Sequence, residues 1–396
     1  MAATVPARNR TLRRDPRLLA FARLWVATVC GFIAIGTVLP VLPRYVRGPL
    51  DAGDVAVGIV IGAFAVSAIV LRPIGGRLAD ERGRRLIVVS GLLLAAVAGF
   101  MHLLPLGVVG LVVARMVLGV GDGWLFTAGA AWAIDLAPEA RRAQAVGMYG
   151  LAVWTGLTVG PICGQLILDH AGYDAVWLFA AGMPLLGSLV ARTVPQPDQP
   201  SAPPDTRRSG LLPRPVIPPG VALGLANIGY GAMSGFIVLH LDERGIGHGA
   251  AAFTAFAAAV VGARLLAGSL PDRLGAQRTA VGALASETIG LVLIAVAGTL
   301  PVAIVGAVVM GSGFSLLFPS LAVLAVERVE VTQRGVALGA FTAFFDAGVG
   351  IGAPLAGAVA ALGGYPAAFW ASAACAVVGV ALSVRMGRAA QPAPAA

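Results

Sequence analysis

Twelve times along its 396 residues the chain runs through about 20 consecutive residues that are almost wholly apolar, the length a helix needs to cross the hydrocarbon of a bilayer. The stretches centre near Cys30, Phe64, Leu94, Gly119, Thr155, Gly182, Asn227, Ala257, Leu291, Gly311, Gly348 and Val377. With 58% of residues hydrophobic and 12% charged, there is too little polar surface to coat a water-soluble globule. A soluble, buried all-helical core is the competing reading. It needs an outer shell of charged amphipathic helices, and the sequence holds none.

The placement of the arginines orients the chain. Of the 28 basic residues, all of them Arg, 22 fall on the inner side of an N-inside topology. Three lie in outward loops (Arg44, Arg47, Arg244) and three within apolar stretches (Arg72, Arg115, Arg264). That skew follows the positive-inside rule, and an even number of crossings leaves both termini on the cytoplasmic side of an inner membrane. The net charge of +9 is then a matter of anionic lipid, and nucleic acid is not expected as a partner. Cys30, Cys163 and Cys375 stand singly, without CxxC spacing, so no disulfide, metal or other cofactor is expected. The basic opening MAATVPARNRTLRRDPR could precede a secretory signal, but the apolar run of about 25 residues behind it outlasts a signal core. The first stretch is read as an uncleaved helix.

Between the sixth and seventh stretches runs PQPDQPSAPPDTRRSGLLPRPVIPP, whose prolines deny helix and whose polarity denies membrane. The expected organisation is a cytosolic basic tail (1–17), a six-helix bundle (18–193), a cytosolic linker (194–216), a second six-helix bundle (217–385) and a cytosolic tail (386–396). Sliding one half over the other by 192 residues, without gaps, sets Arg72 on Arg264, Gly76 on Gly268, Asp80 on Asp272 and Gly83 on Gly275. The same shift sets Gly119 on Gly311, Gly121 on Gly313, Arg142 on Arg334, Gly156 on Gly348 and Gly160 on Gly352. The fold expected is all-α and integral to the membrane, with twelve transmembrane helices in two pseudo-symmetric bundles that rock about a central cavity.

Residues 75–85, GGRLADERGRR, hold six charges between two apolar stretches. Helix is expected to end near Leu78 and to resume near Arg85, which puts Asp80 by a C-terminus and Arg84 and Arg85 by an N-terminus. Both placements oppose the helix dipoles, at about 0.3 to 1 kcal/mol each. Partners elsewhere should compensate: Asp135 for the arginines, and the start of the eleventh helix for Asp80. Contacts made only when the halves close on the cytoplasmic side would make the cluster a conformational latch; a solvated positive-inside loop is the alternative. The run Gly76 to Arg85 resembles the signature G-x-L-a-D-r-x-G-r-r of the major facilitator superfamily, departing at Glu81, where a basic residue is commoner. The resemblance implies that Gly76, Asp80, Gly83, Arg84 and Arg85 steady the outward-facing state. The second-half copy, GSLPDRLGAQR, lacks two of the arginines.

Three further runs extend the resemblance over nearly the whole chain. Gly36 to Pro43 is similar to the G-x-x-x-P-x-x-P pattern of twelve-helix drug:proton antiporters, a branch that also resembles the arabinose-efflux permeases. Arg115 with Gly119 and Gly121 resembles an R-x-x-x-G signature linked with proton transfer. Gly156, Gly160, Pro161 and Gly164 match the antiporter signature G-x-x-x-G-P-x-x-G-G, whose final Gly is replaced by Gln165. Without the family, glycines four apart already describe a face that admits a neighbouring backbone closely, with Pro161 permitting a kink. Such a face suits helices that slide at the seam between halves, or ordinary tight packing.

Ionisable groups inside the bilayer cost about 2.5 to 3.5 kcal/mol at a helix centre and serve as functional candidates by default. Arg115 and Asp122 are seven residues apart, hence on one face with about 10 Å of rise between them, which suggests a shared polar cavity or mutual neutralisation. Asp346 lies near mid-membrane with no basic residue within a turn. A carboxyl so placed either takes up a proton readily, as a proton carrier must, or donates a static hydrogen bond. Arg72 and Arg264 are read as snorkelling from helix ends, and Glu287 as packed in the outer ring. Phe32, Trp124, Asn227, Tyr230, Met233, Phe314 and Phe318 fall on the helices that line the cavity in the family; packing is their other reading. With few fixed charges among them, an apolar or amphipathic solute is expected.

The resemblance implies a secondary active transporter, with proton-coupled efflux of a small organic or drug-like solute by alternating access ranked first. Uptake by symport, facilitated diffusion and a non-transporting receptor on the same fold stand as alternatives. Its partners would be the solute, protons and the lipid bilayer, and it would act as a monomer. An enzyme is not expected, since no HExxH, nucleophile elbow or Walker loop occurs.

Overall fold

A computed structural model describes residues 16–196, 212–327, 329–330 and 333–388. The basic tail up to residue 15, the linker over 197–211 and the end of the chain from 389 lie outside the described residues. Backbone in hydrocarbon must satisfy its polar groups within itself, and each apolar stretch accordingly forms helix. In chain order these are α1 (Pro16–Val38), α2 (Leu42–Arg47), α3 (Asp54–Arg82), α4 (Arg84–Met101), α5 (Gly107–Leu136), α6 (Arg142–Arg192), α7 (Ile217–Glu243), α8 (Gly249–Ala267), α9 (Leu270–Leu274), α10 (Ala276–Val296), α11 (Leu300–Val326) and α12 (Arg334–Arg388).

Among the described residues ten helical segments are long and apolar enough to cross a bilayer. Two of them are far longer than one bilayer thickness, and each is broken at a glycine with φ of 77°, Gly172 in α6 and Gly364 in α12, a conformation that only glycine adopts cheaply. Each broken helix supplies two arms, giving twelve crossings. The first crossing is interrupted where Pro40 brings no N–H to the ladder; α1 stops at Val38 and α2 restarts with Pro43 in its first turn.

The duplication read from the sequence governs the architecture down to single residues. The breaks at Gly172 and Gly364, the hinges at Gly83 and Gly275, the starts of α4 and α10 and the starts of α6 and α12 are each separated by the same 192 residues. Packing repeats with them: α1–α6, α3–α5, α4–α5 and α4–α6 in the first half answer to α7–α12, α8–α11, α10–α11 and α10–α12 in the second. Gly119 lies against Phe64 of α3, and Gly311 against Phe256 of α8, again at the same shift. The copies differ where α3 runs unbroken to Arg82 while its counterpart splits into α8 and α9, with Pro271 in the first turn of α9.

The charged run 75–85 is not the loop expected. α3 continues through Arg82 and α4 begins at Arg84, so Gly83 alone turns the chain, with φ of 102°. This hinge and the starts of α6 and α12 mark the arginine-rich end of the molecule. The halves meet along α3–α12 and α6–α8, and at the opposite end the seam is sealed. There Gly58 packs on Ala353 and Pro354, Gly62 on Gly350 and Pro354, and Gly357 on Asp54.

Candidate functional site

A cavity of about 280 Å³ opens between the halves, lined by side chains of α1, α3, α5 and α6 from the first half and α7, α8, α11 and α12 from the second. It extends to Val146 and Gly147, little more than one turn from the start of α6, and so reaches toward the arginine-rich end. Five charged residues line it: Arg72, Arg115, Asp122, Arg264 and Asp346. The shared polar cavity suggested for Arg115 and Asp122 is present, and Arg72 and Arg264, read as snorkelling, add to its charges.

Arg72 is the centre of that charged group. One guanidinium nitrogen, Nη2, lies 3.1 Å from Oδ1 of Asp346 and 3.6 Å from Oδ2 of Asp122. The cation also sits over the Phe126 ring, 5.3 Å from its centroid. Asp346 is 2% exposed and its other oxygen has no partner among the described residues. The snorkelling expected of Arg72 is thus overturned: α3 runs ten residues past it, about 15 Å, so its side chain is far from the helix end. Asp346, read as lacking a basic neighbour, has one from the other half of the molecule. Arg264 does not snorkel either. Its Nη2 donates to the Ser315 carbonyl at 2.6 Å, and the residue faces the cavity.

Arg115 is 1% exposed, donates to the Ile61 carbonyl at 3.3 Å and lies over the Phe64 ring at 5.1 Å. It does not bridge to Asp122; both face the one cavity, as their shared helix face suggests. Of the seven cavity candidates, Phe32, Tyr230, Phe314 and Phe318 line the cavity. Three others do not. Trp124 covers Gly75 and donates its indole N–H to the Leu71 carbonyl at 3.1 Å, filling the α3–α5 interface. Asn227 is buried, donating to the Leu223 carbonyl at 2.8 Å beneath Gly348, and Met233 is wholly inside the second half. Glu287 stays in the outer ring, buried in α10 against Gly229 of α7.

Sequence reasoning missed Trp154, whose ring stands 5.6 Å from Phe314, 6.1 Å from Tyr230 and 6.0 Å from Phe256, reaching from the first half into the aromatic wall of the second. A signal existed. Two residues of helix turn about 200°, so Trp154 points away from the face that carries Gly156. That glycine face proves to lie inside the first half: Gly156, Gly160 and Gly164 pack α6 on α1 at Phe32, Ile33, Gly36 and Thr37. The seam expected along it is corrected; small residues there bring two helices of one bundle together, and Pro161 sits within the same α6 arm.

The charged hinge resolves into a local network. Arg84 pairs with Asp80 across Gly83, and its Nε lies 3.1 Å from Oδ2 of Asp135. This offsets the charge opposing each helix dipole. Arg85 is exposed and joins no ion pair among the described residues, and Gly76 abuts Thr127 of α5. No hydrogen bond from Asp80 to the start of α12 occurs among the described residues. Besides Arg72–Asp346 at the cavity, bridges between the halves stand at the other end. Arg44 grips Asp242 with two bonds, Nε to Oδ2 at 2.7 Å and Nη2 to Oδ1 at 2.8 Å, while its Nη1 donates to Gln165 at 2.7 Å. Tyr365 donates to Asp54 at 2.9 Å. Gln165, the one departure from the glycine signature, is thereby the residue that holds Arg44 toward its partner.

Comparison with known proteins adds a family. The model described as Major Facilitator Superfamily matches residues 24–253 and again 225–395. An uncharacterized MFS-type transporter of Salmonella typhimurium is 32% identical over 370 residues, 91% of this chain and 94% of that protein. Another, of Burkholderia mallei, is 34% identical over 384 residues and 93% of each chain. Among solved structures, the nucleoside transporter NupG aligns over 93% of this chain and 99% of its own, with TM-score 0.73 at 15% identity. A bacterial homologue of the human lysosomal transporter Spinster, inward-facing and unoccupied, covers 96% of this chain and 100% of its own at TM-score 0.76 and 14% identity. The human organic anion transporter MFSD10 does so over 93% and 100%, at TM-score 0.70 and 16% identity. These last three likenesses establish the shared fold.

Proposed function

The chain belongs to the Major Facilitator Superfamily, and on that premise we propose that it is a proton-coupled exporter of a small organic solute. Membership makes it a multi-pass membrane protein and a secondary transporter of small molecules, and not an enzyme. The arginine-rich end and both termini face the cytoplasm in this reading, on the positive-inside rule, with the chain in an inner membrane. The cavity then faces inward, sealed on the outer side by Arg44–Asp242 and Tyr365–Asp54. One copy encloses the whole pathway and works as a monomer.

The observation that carries the proton coupling is the single cation shared by two carboxylates across the seam. Ionised, Asp122, Arg72 and Asp346 carry one net negative charge among the three of them; with one proton held the triad is neutral. A proton on Asp346 releases its hold on Arg72, which stays with Asp122 in its own half, and α3 and α12 are no longer tied. Proton binding on one side and release on the other then bias the two orientations in turn. The membrane potential contributes about 2.3 kcal/mol per charge per 100 mV to a cycle that moves net charge. Export is favoured by the likeness of Gly156 to Gln165 to the antiporter signature. Asp80, Arg84 and Asp135, paired here within one half, would reach across the seam once the cavity closes on that side.

The test uses inverted vesicles, a solute panel and a pH-sensitive dye. Asp346→Asn is expected to keep solute exchange between compartments of equal pH and to lose the response to an imposed pH gradient. Proton-driven flux at the normal rate in that variant would assign the proton to another group.

A further inference from the structure

The 192-residue repeat sets Arg264 on the position of Arg72, but not its partners. Where Asp122 and Asp346 stand around Arg72, the second copy carries Phe314 and the first copy carries Trp154. Among the described residues Arg264 accordingly makes one side-chain hydrogen bond, to the Ser315 carbonyl. Arg115 is in the same position chemically: it is buried, and among the described residues its one long bond goes to a carbonyl and its Nε and Nη1 have no hydrogen-bond partner. No carboxylate lies within ion-pairing distance of either arginine among the described residues. A buried cation requires a counter-charge, and a guanidinium offers a planar fork suited to a carboxylate. Three arginines against two aspartates give the cavity one surplus positive charge. Trp154, Tyr230 and Phe314, with centroids 5.4 to 6.1 Å apart and Trp154 edge-on to the other two, supply an aromatic wall beside it.

From this geometry we infer that the solute is a small organic monoanion, a carboxylate on an apolar body, whose head group is taken by Arg264. The cavity is at the small end of ligand pockets, which run from about 300 to 1,000 Å³. The inference rests on the transport reading above and sharpens the nature of its cargo.

The purified full chain is melted with carboxylates from acetate through benzoate to naphthoate, and with benzamide and benzylammonium as shape controls. Benzoate or naphthoate is expected to raise Tm at concentrations at least about tenfold below those at which the amide or ammonium acts. Arg264→Gln, half-buried and so tolerant, is expected to weaken that response about tenfold, with Arg264→Lys recovering part of it. Equal response to the amide or ammonium, no response to any carboxylate, or an unchanged response in Arg264→Gln overturns the inference. Liposome flux separates the two readings. Carboxylate binding without flux would end the transport reading and leave the anion site, whereas flux of benzamide or benzylammonium without flux of benzoate would do the reverse.

Discussion

Arg72 and Arg264 occupy one position of a duplicated scaffold and face opposite surroundings. Arg72 is held by carboxylates on α5 and α12, at 3.6 and 3.1 Å. Arg264 has a carbonyl and an aromatic wall, because Phe314 and Trp154 stand where the two aspartates would be. The helices, hinges and glycine contacts around them are nearly the same in both copies. Duplication supplied a frame, and a few substitutions at the cavity set the two arginines apart: one is balanced internally, and in the proposed reading it senses a proton while the other is balanced by cargo. The sealed and open ends of the seam follow from the same economy of charge. At the end away from the arginine-rich one, the bridges join the halves; at the arginine-rich end they tie α3, α4 and α5 within one half.

The comparison breaks most visibly if Arg72 loses its charge. Arg72→Gln leaves two buried carboxylates without their cation and is expected to cost about 3 to 5 kcal/mol of stability and to abolish transport, read by thermal melting and by solute counterflow. Adding Asp346→Asn to it should restore most of the stability and none of the coupling. The converse change makes the second copy resemble the first. Phe314→Asp gives Arg264 an internal partner, and benzoate affinity is expected to fall about tenfold or more, with the fold intact by melting. At the outer seal, Asp242→Asn removes a partly exposed pair worth about 0.2 to 1 kcal/mol, a shift of up to about fivefold toward the outward-open state. The labelling rate from outside of a cysteine placed by Leu39→Cys, in a chain without its three native cysteines, measures it. The smallest effect is expected from Asp80→Asn. Its exposed pairing with Arg84 is weak here, so insertion and melting should be unchanged while transport slows; unchanged flux would remove the latch role.

Much of this fold is legible in the sequence because lipid imposes it. Apolar runs of helix-spanning length and a gapless repeat are one-dimensional signals, and they placed twelve crossings and two bundles without any knowledge of contacts. Asp122, Asp346 and Arg115 were also visible, being charges in apolar surroundings. What escaped is pairing. Arg72 and Asp346 lie 274 positions apart and Arg44 and Asp242 lie 198 apart, and no local pattern records such partners. A helix end misplaced by one turn sufficed to send Arg72 toward lipid instead of the cavity. The glycines of α6 announced a close approach but not to which helix, since a small-residue face fits a neighbour in its own bundle as well as one across the seam. Trp154 hid among residues read for their glycines.

Division of labour between the two arginines is tested most directly by a crossed pair of measurements on reconstituted Asp346→Asn and Arg264→Gln proteins: benzoate binding, and the response of solute flux to a pH gradient. Asp346→Asn should bind benzoate within about threefold of the unmodified chain and lose the pH response, while Arg264→Gln should lose about tenfold or more in benzoate binding. Loss of benzoate binding to the same extent in both variants, or retention of the pH response in Asp346→Asn, would show that proton and solute are not handled by separate copies of the same arginine.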